Sequence, residues 1–174
     1  SGAGGSIAAF DRNSTSGGLS WRGVQDGISL GAPMAGATSA AFSGDGASLY
    51  ITAADANALV VLDRDASSAS GSYGNLTYAG SLEQGVDGVQ GLLAPTRAAL
   101  AADGLHLYVT ARSGGSVAWF SRDPADGSLR FLGLRSNESA GVNGMAGATG
   151  IVVDGTLDQI YIAGTQQAAV AQFQ

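Results

Sequence analysis

The residues of this chain that could take part in catalysis or bind a metal ion are few and scattered. His106 is the only histidine, there is no cysteine, and the only glutamates are Glu83 and Glu138. A serine hydrolase would need a Ser–His–Asp set built around His106, and nothing in the sequence brings a serine nucleophile beside it. The absence of cysteine excludes disulfides and thiolate metal sites. Residue types alone therefore do not identify a catalytic set, and the catalytic residues stay unassigned.

Two glycine-rich segments carry side chains that could bind Ca²⁺. Asp87 lies in GVDGVQG (85–91), and Asn143 lies in GVNGMAG (141–147). Calcium takes six to eight oxygen ligands, so backbone carbonyls would have to complete such a site. Binding of phosphate by a glycine-rich loop is excluded, because that chemistry needs a following helix or a lysine. Asp87 and Asn143 are thus the metal candidates, and no cofactor other than Ca²⁺ is expected.

Aspartates that precede glycine recur at Asp45, Asp103 and Asp154. An aspartate can accept hydrogen bonds from its own turn, while the glycine adopts a positive φ, so these residues indicate turns rather than acid–base pairs. We expect the Arg–Asp ends at 63–65 and 121–123 to cap strands or bridge neighbouring turns as exposed pairs, which stabilise a fold by only about 0–1 kcal/mol.

The elements that carry these residues form an internal repeat. Segments aligned on Tyr50, Tyr108 and Tyr161 match one another, at spacings of 58 and 53 residues. A partial copy opens the chain, where SIAAFDRN (6–13) matches SVAWFSRD (116–123). A period of this length is typical of a fold built from stacked units.

Each full unit is predicted to contain four strands joined by short turns. In the middle unit these are residues 96–103, 105–111, 116–122 and 128–134. Short turns make neighbouring strands antiparallel, so each unit is a four-stranded meander. Its sheet is apolar on both faces and must pack between copies of itself, as in a β-propeller. We therefore predict an all-β fold of propeller blades, with one or two short helical turns in the connectors.

The repeat resembles that of the YVTN-type, lactonase-like β-propellers. The resemblance rests on DGLHLYVT and VAWFSRDPADGSLRFLG, with DGASLYIT, LVVLDRD and the connector LEQGVDGVQG in the other units. It covers nearly the whole chain and implies a propeller architecture. Complete propellers of this kind have six to eight blades, and the best-known relatives hydrolyse a sugar lactone. No catalytic set of that family can be matched to this sequence residue by residue.

The number of strands is too small for a closed ring. We predict one propeller segment over residues 1–174, with two strands in a partial blade (6–24), four in each blade at 37–80 and 95–134, and three in a partial blade (148–174). About three blades leave apolar faces exposed at both ends, which a soluble monomer rarely tolerates. The ring could be completed by the remainder of a longer polypeptide, a second copy or another protein. Three final plus two initial strands make five, one too many, which favours a fragment or a subunit over a homodimer.

Composition restricts the partners. The net charge is −6 and all eight basic residues are arginine, without a basic cluster, so a nucleic-acid partner is excluded. No stretch of about 18 apolar residues could span a membrane. The opening SGAGGSIAAF is not an intact signal peptide, although a signal could have been removed. We expect an extracytoplasmic protein, periplasmic or secreted, whose sequons at Asn13, Asn75 and Asn137 could carry glycans in a eukaryote.

Two functions remain open. The first is a non-enzymatic binding or scaffolding module that is a subunit or fragment of a larger assembly. The second is a lactonase-like hydrolase with a pocket at the propeller axis, where Asp87, Asp103 and His106 would be the first residues to test.

Overall fold

The computed structural model describes residues 4–156 and 159–173. These residues contain thirteen β-strands and one short helix, joined by turns and loops. The elements are β1 (Ser6–Arg12), β2 (Leu19–Asp26), α1 (Gly27–Leu30), β3 (Ala37–Phe42), β4 (Ser48–Ala53), β5 (Ala58–Arg64), β6 (Leu76–Glu83), β7 (Pro95–Leu100), β8 (His106–Ala111), β9 (Ser116–Arg122), β10 (Leu129–Ser136), β11 (Ala148–Asp154), β12 (Gln159–Gly164) and β13 (Ala169–Phe173).

The strands form four sheets in which each strand pairs with its neighbour in sequence. We number the sheets blade 1 (β1–β2), blade 2 (β3–β6), blade 3 (β7–β10) and blade 4 (β11–β13). All pairings are antiparallel. The predicted all-β fold of four-stranded meanders is confirmed, with an incomplete sheet at either end.

The single helix of the described residues lies in the connector between blades 1 and 2. Asp26 caps its first turn, since the carboxylate accepts a hydrogen bond from the Ser29 N–H at 2.8 Å, and Gly31 ends it at φ +66°. The helix is four residues long, and among the described residues none could cross a membrane.

The fourth strands run further than the sequence predicted. Blades 2 and 3 were expected to end at residues 80 and 134, whereas β6 continues to Glu83 and β10 to Ser136. A β-bulge in each fourth strand uses one extra residue, and the strand still pairs with its neighbour up to Ala58 and Ser116. The bulge has no distinct sequence signal here, which explains the short prediction.

Apolar clusters fill the space between successive blades. The largest buried side chains between blades 2 and 3 are Tyr50, Leu59, Leu92, Leu107 and Phe120. Smaller clusters join blade 1 to blade 2 and blade 3 to blade 4. The connectors also contribute buried apolar side chains to these clusters, among them Met34, Leu92 and Met145.

The first strands of blades 2, 3 and 4 lie next to one another and form the inner side of the arc. The Thr38 hydroxyl donates to the Pro95 carbonyl oxygen at 2.8 Å, and the Thr96 hydroxyl donates to that of Ala148 at 2.9 Å. The same hydrogen bond thus joins the inner strands of two successive blade pairs. Because the same contact recurs at the same position, blades 2 and 3 are related to each other as blades 3 and 4 are.

Candidate functional site

The three residues of the lactonase hypothesis lie at opposite ends of blade 3. Asp87 is in the connector before β7, while Asp103 and His106 are at the turn that follows it. A six-residue strand at about 3.3 Å per residue separates these ends by roughly 20 Å. The described structure therefore does not bring Asp87 together with the other two residues.

Asp103 and His106 do contact each other. The His106 Nδ1 atom lies 2.8 Å from a carboxylate oxygen of Asp103, and both side chains are more than 40% exposed. Partial burial acts to raise the pKa of Asp103, but hydrogen bonds from the Leu105 N–H and from His106 together lower it. The Asp–Gly turn was expected, whereas its contact with His106 was missed. The spacing of three residues across a tight turn was the available signal.

The calcium candidates lie on successive connectors. Asp87 adopts a positive φ of +49° and, together with Glu83, lines a crevice of about 320 Å³ between blades 2 and 3. Asn143 lies in the next connector and does not line that crevice. In the described part of the chain no group of three acidic, histidine or cysteine side chains is close enough to hold a metal ion. Any site would have to rely on backbone carbonyls.

A network of hydrogen bonds around the buried Arg122 joins blade 2 to blade 3. Arg122, at the end of β9, is only 7% exposed, and its Nε donates to the Tyr50 hydroxyl at 2.6 Å. The Tyr50 hydroxyl in turn donates to the Gly127 carbonyl oxygen at 2.9 Å. Arg122 also donates to the Gly104 carbonyl oxygen and reaches the Asp45 carboxylate at 3.8 Å.

The prediction of an exposed Arg–Asp pair at 121–123 is therefore wrong. Arg122 is buried because the neighbouring blade supplies a tyrosine hydroxyl and the Ser48 hydroxyl as partners. Tyrosine and arginine recur at matching positions of the repeats in the sequence, and this recurrence was the available signal for the contact. Only the stacking of the blades shows that Arg122 of one unit bonds Tyr50 of the preceding unit.

The turn that contains Gly127 needs a glycine. Its φ is +72°, and a Cβ atom there would lie 2.1 Å from the Ser48 Oγ and 2.9 Å from the Ser48 Cβ. Blade 2 and blade 3 thus approach more closely at this turn than any side chain would allow.

Arg64 occupies the position of Arg122 in blade 2 but has different partners. It donates to the Gly46 carbonyl oxygen at 3.2 Å, as Arg122 does to Gly104. Its guanidinium lies over the ring of Tyr73 at 5.0 Å, a residue of its own blade. Among the described residues blade 1 consists only of β1 and β2, which correspond to the third and fourth strands of a full blade, so it has no counterpart of Tyr50.

Comparisons with known proteins support the architecture. No protein-family model matches this sequence, and no curated protein matches it. Solved structures do. The chain is similar to a "putative 6-phosphogluconolactonase" from Bacteroides uniformis ATCC 8492, with a TM-score of 0.70, 16% identity, 97% of this chain covered and 47% of that chain. A functionally unknown protein from Desulfotomaculum acetoxidans DSM 771 gives a TM-score of 0.67 at 18% identity, covering 95% of this chain and 46% of that chain.

A third structure has its fold stated in its name. The Cps50 (Swd1) β-propeller domain of Myceliophteria thermophila matches with a TM-score of 0.58 at 12% identity, covering 78% of this chain and 39% of that domain's chain. The fold is an incomplete β-propeller. The chain spans less than half the length of these solved structures.

The propeller segment exposes an apolar surface on blade 1. We call it the open face; it consists of Phe10, Leu19, Trp21 and Val24, which are 50%, 66%, 62% and 59% exposed. The strand registers relate them one by one to residues of blade 3, because Phe10 pairs with Trp21 as Phe120 pairs with Phe131. The corresponding residues of blade 3 are Phe120, Leu129, Phe131 and Leu134, and all four pack against blade 2.

The aromatic pairs of the two blades are also alike. The Phe10 and Trp21 rings lie edge to face at 5.2 Å, and the Phe120 and Phe131 rings lie 5.7 Å apart. The open face therefore has the form of a blade interface for which this chain, as described, provides no neighbour.

An apolar cavity lies at the other end of the segment. It has a volume of about 200 Å³, lies between blades 3 and 4, and is lined by Tyr108, Val117, Trp119, Arg135, Ile160 and Phe173. Among the described residues blade 4 has three strands, and none of them occupies the position that β10 has in blade 3. The outer side of blade 4 exposes Val152 and Val170, at 63% and 67%.

The three sequons differ in their surroundings. Asn13 and Asn75 are exposed, whereas Asn137 is partly buried and its amide oxygen accepts a hydrogen bond from the Met145 N–H at 3.0 Å.

Proposed function

We propose that this chain is a non-enzymatic propeller module that binds or scaffolds other polypeptide in an extracytoplasmic assembly. Its ring is completed by further blades, supplied by another chain or by the remainder of a longer one. The observation that carries the proposal is the open face of blade 1, whose four apolar residues match four that are packed in the interface between blades 2 and 3.

Physical reasoning favours a covered open face. Contiguous exposed apolar residues on a soluble protein mark an interaction site, since burying each Å² of apolar surface is worth about 25 cal/mol. The edge of β1 that faces away from β2 carries unpaired backbone groups among the described residues, and such an edge can accept an added strand. A partner that contributes β-strands would cover the apolar face and pair with the edge of β1 at the same time.

The test is the behaviour of the purified 174-residue chain in solution. We expect it to bind a hydrophobic dye such as ANS, or to associate and lose that binding. A monomer that unfolds in one cooperative transition and binds no dye would overturn the proposal, because its ends would then be sealed by its own residues.

The alternative function is hydrolysis of a lactone. It is supported by the similarity in fold to the protein from Bacteroides uniformis that is named a "putative 6-phosphogluconolactonase". It would require an acid and a metal ion at the propeller axis, with Asp103 and His106 as the paired side chains nearest to such chemistry.

Hydrolysis of 6-phosphogluconolactone, with and without a chelator, tests this alternative. Turnover that falls when Asp103→Asn is introduced and stops with chelator would support it. Turnover at the rate of the buffer alone would remove it. Calcium titration of the same sample, compared between the parent chain and Asp87→Asn, tests the metal hypothesis separately.

A further inference from the structure

Blade 1 carries an arginine at a position where blade 2 has only an alanine. The pairing of β1 with β2 and the pairing of β5 with β6 contain a bulge at the same place. The extra residue of the bulge is Arg22 in β2 and Ala79 in β6, and the third strands carry Asp11 and Asp63 at equivalent positions. One aspartate therefore lies beside an arginine, while its counterpart in the next blade lies beside a methyl group.

The side chain of Arg22 occupies the boundary between blades 1 and 2. One of its nitrogens lies 3.1 Å from the Asp11 carboxylate, and another donates to the Tyr73 carbonyl oxygen. Tyr73 belongs to the loop between β5 and β6, and its ring centre lies 5.3 Å from the guanidinium. A Cβ built on Gly74 of that loop would lie only 2.8 Å from the guanidinium. This boundary thus holds a guanidinium between a carboxylate of one blade and a loop of the next.

The corresponding place between blades 2 and 3 is a cavity of about 380 Å³. Asp63, Ala79 and Leu82 of blade 2 line it, together with Asp126 and Leu129 of blade 3. Because the side chain of Ala79 ends at Cβ, the space that an arginine fills in the preceding boundary is open here. The cavity has two carboxylates where the preceding boundary has one carboxylate and a guanidinium.

The two carboxylates of this cavity are not paired with an arginine. No ion pair among the described residues includes Asp63 or Asp126. Hydrogen bonds from the Ser128 hydroxyl and N–H lower the pKa of Asp126, so its carboxylate is charged at neutral pH. Leu82 and Leu129 add apolar surface, which matches the methylene stem of an arginine side chain. A ligand with a guanidinium head on an apolar stem fits both features.

The cavity continues on both sides along the boundary between blades 2 and 3. Toward the turn at 123–128 it shares Asp63 and Asp126 with a second cavity of about 400 Å³. Toward the connector it joins the crevice of about 320 Å³ that Glu83 and Asp87 line. We call these three spaces the interblade groove. In the described sheet β6 pairs with β5 alone, so its other edge offers free backbone groups to an extended polypeptide segment.

The charges of the groove favour a basic segment. Its carboxylates are Asp45, Asp63, Glu83, Asp87 and Asp126. Arg64 and Arg122 also line it, but their guanidiniums already donate to backbone carbonyl oxygens of their own blades. Arg130 lies at the end of the groove near the connector. The described lining of the middle cavity contains no basic residue, so a cation is needed there.

We propose that the interblade groove binds an extended segment of a partner protein through an arginine, whose guanidinium lies between Asp63 and Asp126. Arg22 shows the same mode of binding within the chain, between blades 1 and 2. An arginine suits the site better than a lysine, because its planar fork of donors reaches two carboxylates at once. The inference goes beyond the proposed function, since the groove lies between the two four-stranded blades and does not depend on how the ring is completed.

The first experiment is an NMR titration of the isotope-labelled chain with an arginine peptide. The peptide has blocked ends, is about seven residues long, and has one central arginine among glycine and serine. We expect the amide resonances of residues 61–63, 79–82 and 126–129 to shift. The same peptide with citrulline, which keeps the shape of arginine without its charge, should leave them unchanged. A blocked single arginine should bind more weakly than the peptide, and equal affinity would overturn the assignment to a polypeptide.

Removal of one carboxylate tests the charge pair. Asp63→Asn should weaken binding of the arginine peptide by about fivefold, since it removes one partner of the guanidinium. Asp11→Asn is the matched control, because Asp11 is the equivalent residue of the boundary that Arg22 already fills. The control should bind the peptide as the parent does.

Filling the groove from within tests the equivalence with blade 1. Ala79→Arg should abolish peptide binding, because the new guanidinium occupies the place beside Asp63. Leu132→Arg is the matched control: it puts arginine at the same bulge of blade 3, where the counterpart of Asp63 is Ser121. Peptide binding should persist in that variant. Asp63 and Ala79 are exposed, so the variants should fold, and circular dichroism checks that they do.

The outcomes decide the proposal. Binding that requires the charge of arginine, weakens with Asp63→Asn and disappears with Ala79→Arg supports it. Equal binding of the citrulline peptide overturns it, and so does binding that neither substitution changes. Such a failure leaves the completion of the ring by other blades untouched, since that proposal concerns the open face.

Discussion

The hairpins β9–β10 and β1–β2 have the same register, the same positive-φ glycine and the same aromatic pair, but only the first has a neighbour. On β9–β10 the aromatic ring of Phe120 and the guanidinium of Arg122 are buried against blade 2. On β1–β2 the corresponding Phe10 is half exposed and Arg12 is exposed. The difference shows that burial here is a property of the stacking of units and not of the sequence within a unit.

The comparison also explains how Arg64 is accommodated. Among the described residues blade 1 supplies no tyrosine to Arg64 as blade 2 does to Arg122. The Arg64 guanidinium instead stacks on the ring of Tyr73 in its own blade. The guanidinium of Arg22 lies over the same ring. The long loop between β5 and β6 thus supplies a tyrosine to Arg64, as a neighbouring blade does to Arg122. The turn at 123–128 in blade 3 is shorter and contacts the preceding blade 2 directly.

The largest expected effect is that of truncating the buried aromatic ring. Phe120→Ala should lower the free energy of unfolding by about 3–5 kcal/mol, because it removes apolar contact and leaves a cavity between blades 2 and 3. Phe10→Ala, measured at a dilution where chains are separate, should change it by no more than about 0.5 kcal/mol. Urea titration followed by circular dichroism gives both values, and equal losses would remove the distinction between the two hairpins.

The buried arginine is expected to come next. Arg122→Ala removes the hydrogen bond to Tyr50 and those to Ser48 and Gly104, which should cost about 2–3 kcal/mol of unfolding free energy. Arg122→Lys should recover only part of it, since an ammonium cannot reproduce the divergent donors of a guanidinium. Arg12→Ala in the separated chain is the control and should have almost no effect. A loss for Arg12→Ala as large as for Arg122→Ala would contradict the account.

The close approach of blades 2 and 3 can be tested at Gly127. Gly127→Ala should destabilise the chain by roughly 1–3 kcal/mol more than Gly104→Ala. Both positions have a φ near +71°, so both substitutions cause the same backbone strain, but only at 127 would a Cβ collide with Ser48. Thermal unfolding of the two variants side by side measures the difference, which the account requires to be clearly above zero.

The smallest expected effect is that of Asp45 on the free energy of unfolding at acid pH. The Ser43 hydroxyl, followed by the Ala47 N–H and Arg122, lowers the pKa of Asp45 below 3.8. A carboxylate with a lowered pKa in the folded state stabilises it above the unfolded pKa, and this contribution is lost as pH falls through the folded value. Asp45→Asn and Ser43→Ala should each flatten the fall in stability below about pH 4. Acid unfolding curves that superimpose on that of the parent would exclude the effect.

Much of the fold was predictable because turns and strand alternation are local. The Asp–Gly turns at Asp45 and Asp103 and the repeated tyrosine sufficed to identify four-stranded units and their incomplete number. The bulges in the fourth strands were not predictable, because the extra residue at Ala79 or Leu132 has no distinctive type. The Arg122–Tyr50 contact was missed for another reason: its partners are 72 residues apart and meet only after the blades stack.

The candidate site was less predictable than the fold. Asp87 and Asp103 looked equally available in the sequence, yet the length of β7 keeps them at opposite ends of a blade. The sequence predicted that an apolar face is exposed at each end of the segment. The residues of the open face could be named only from the strand register that relates Phe10 to Phe120.

Amide hydrogen exchange tests most directly whether the edge of β1 that faces away from β2 is unpaired in the single chain. The segments 6–12 and 116–122 are equivalent third strands, so they can be compared within one sample. In the separated chain we predict much faster exchange in 6–12 than in 116–122. Equal, strong protection of both segments in the separated chain would contradict it.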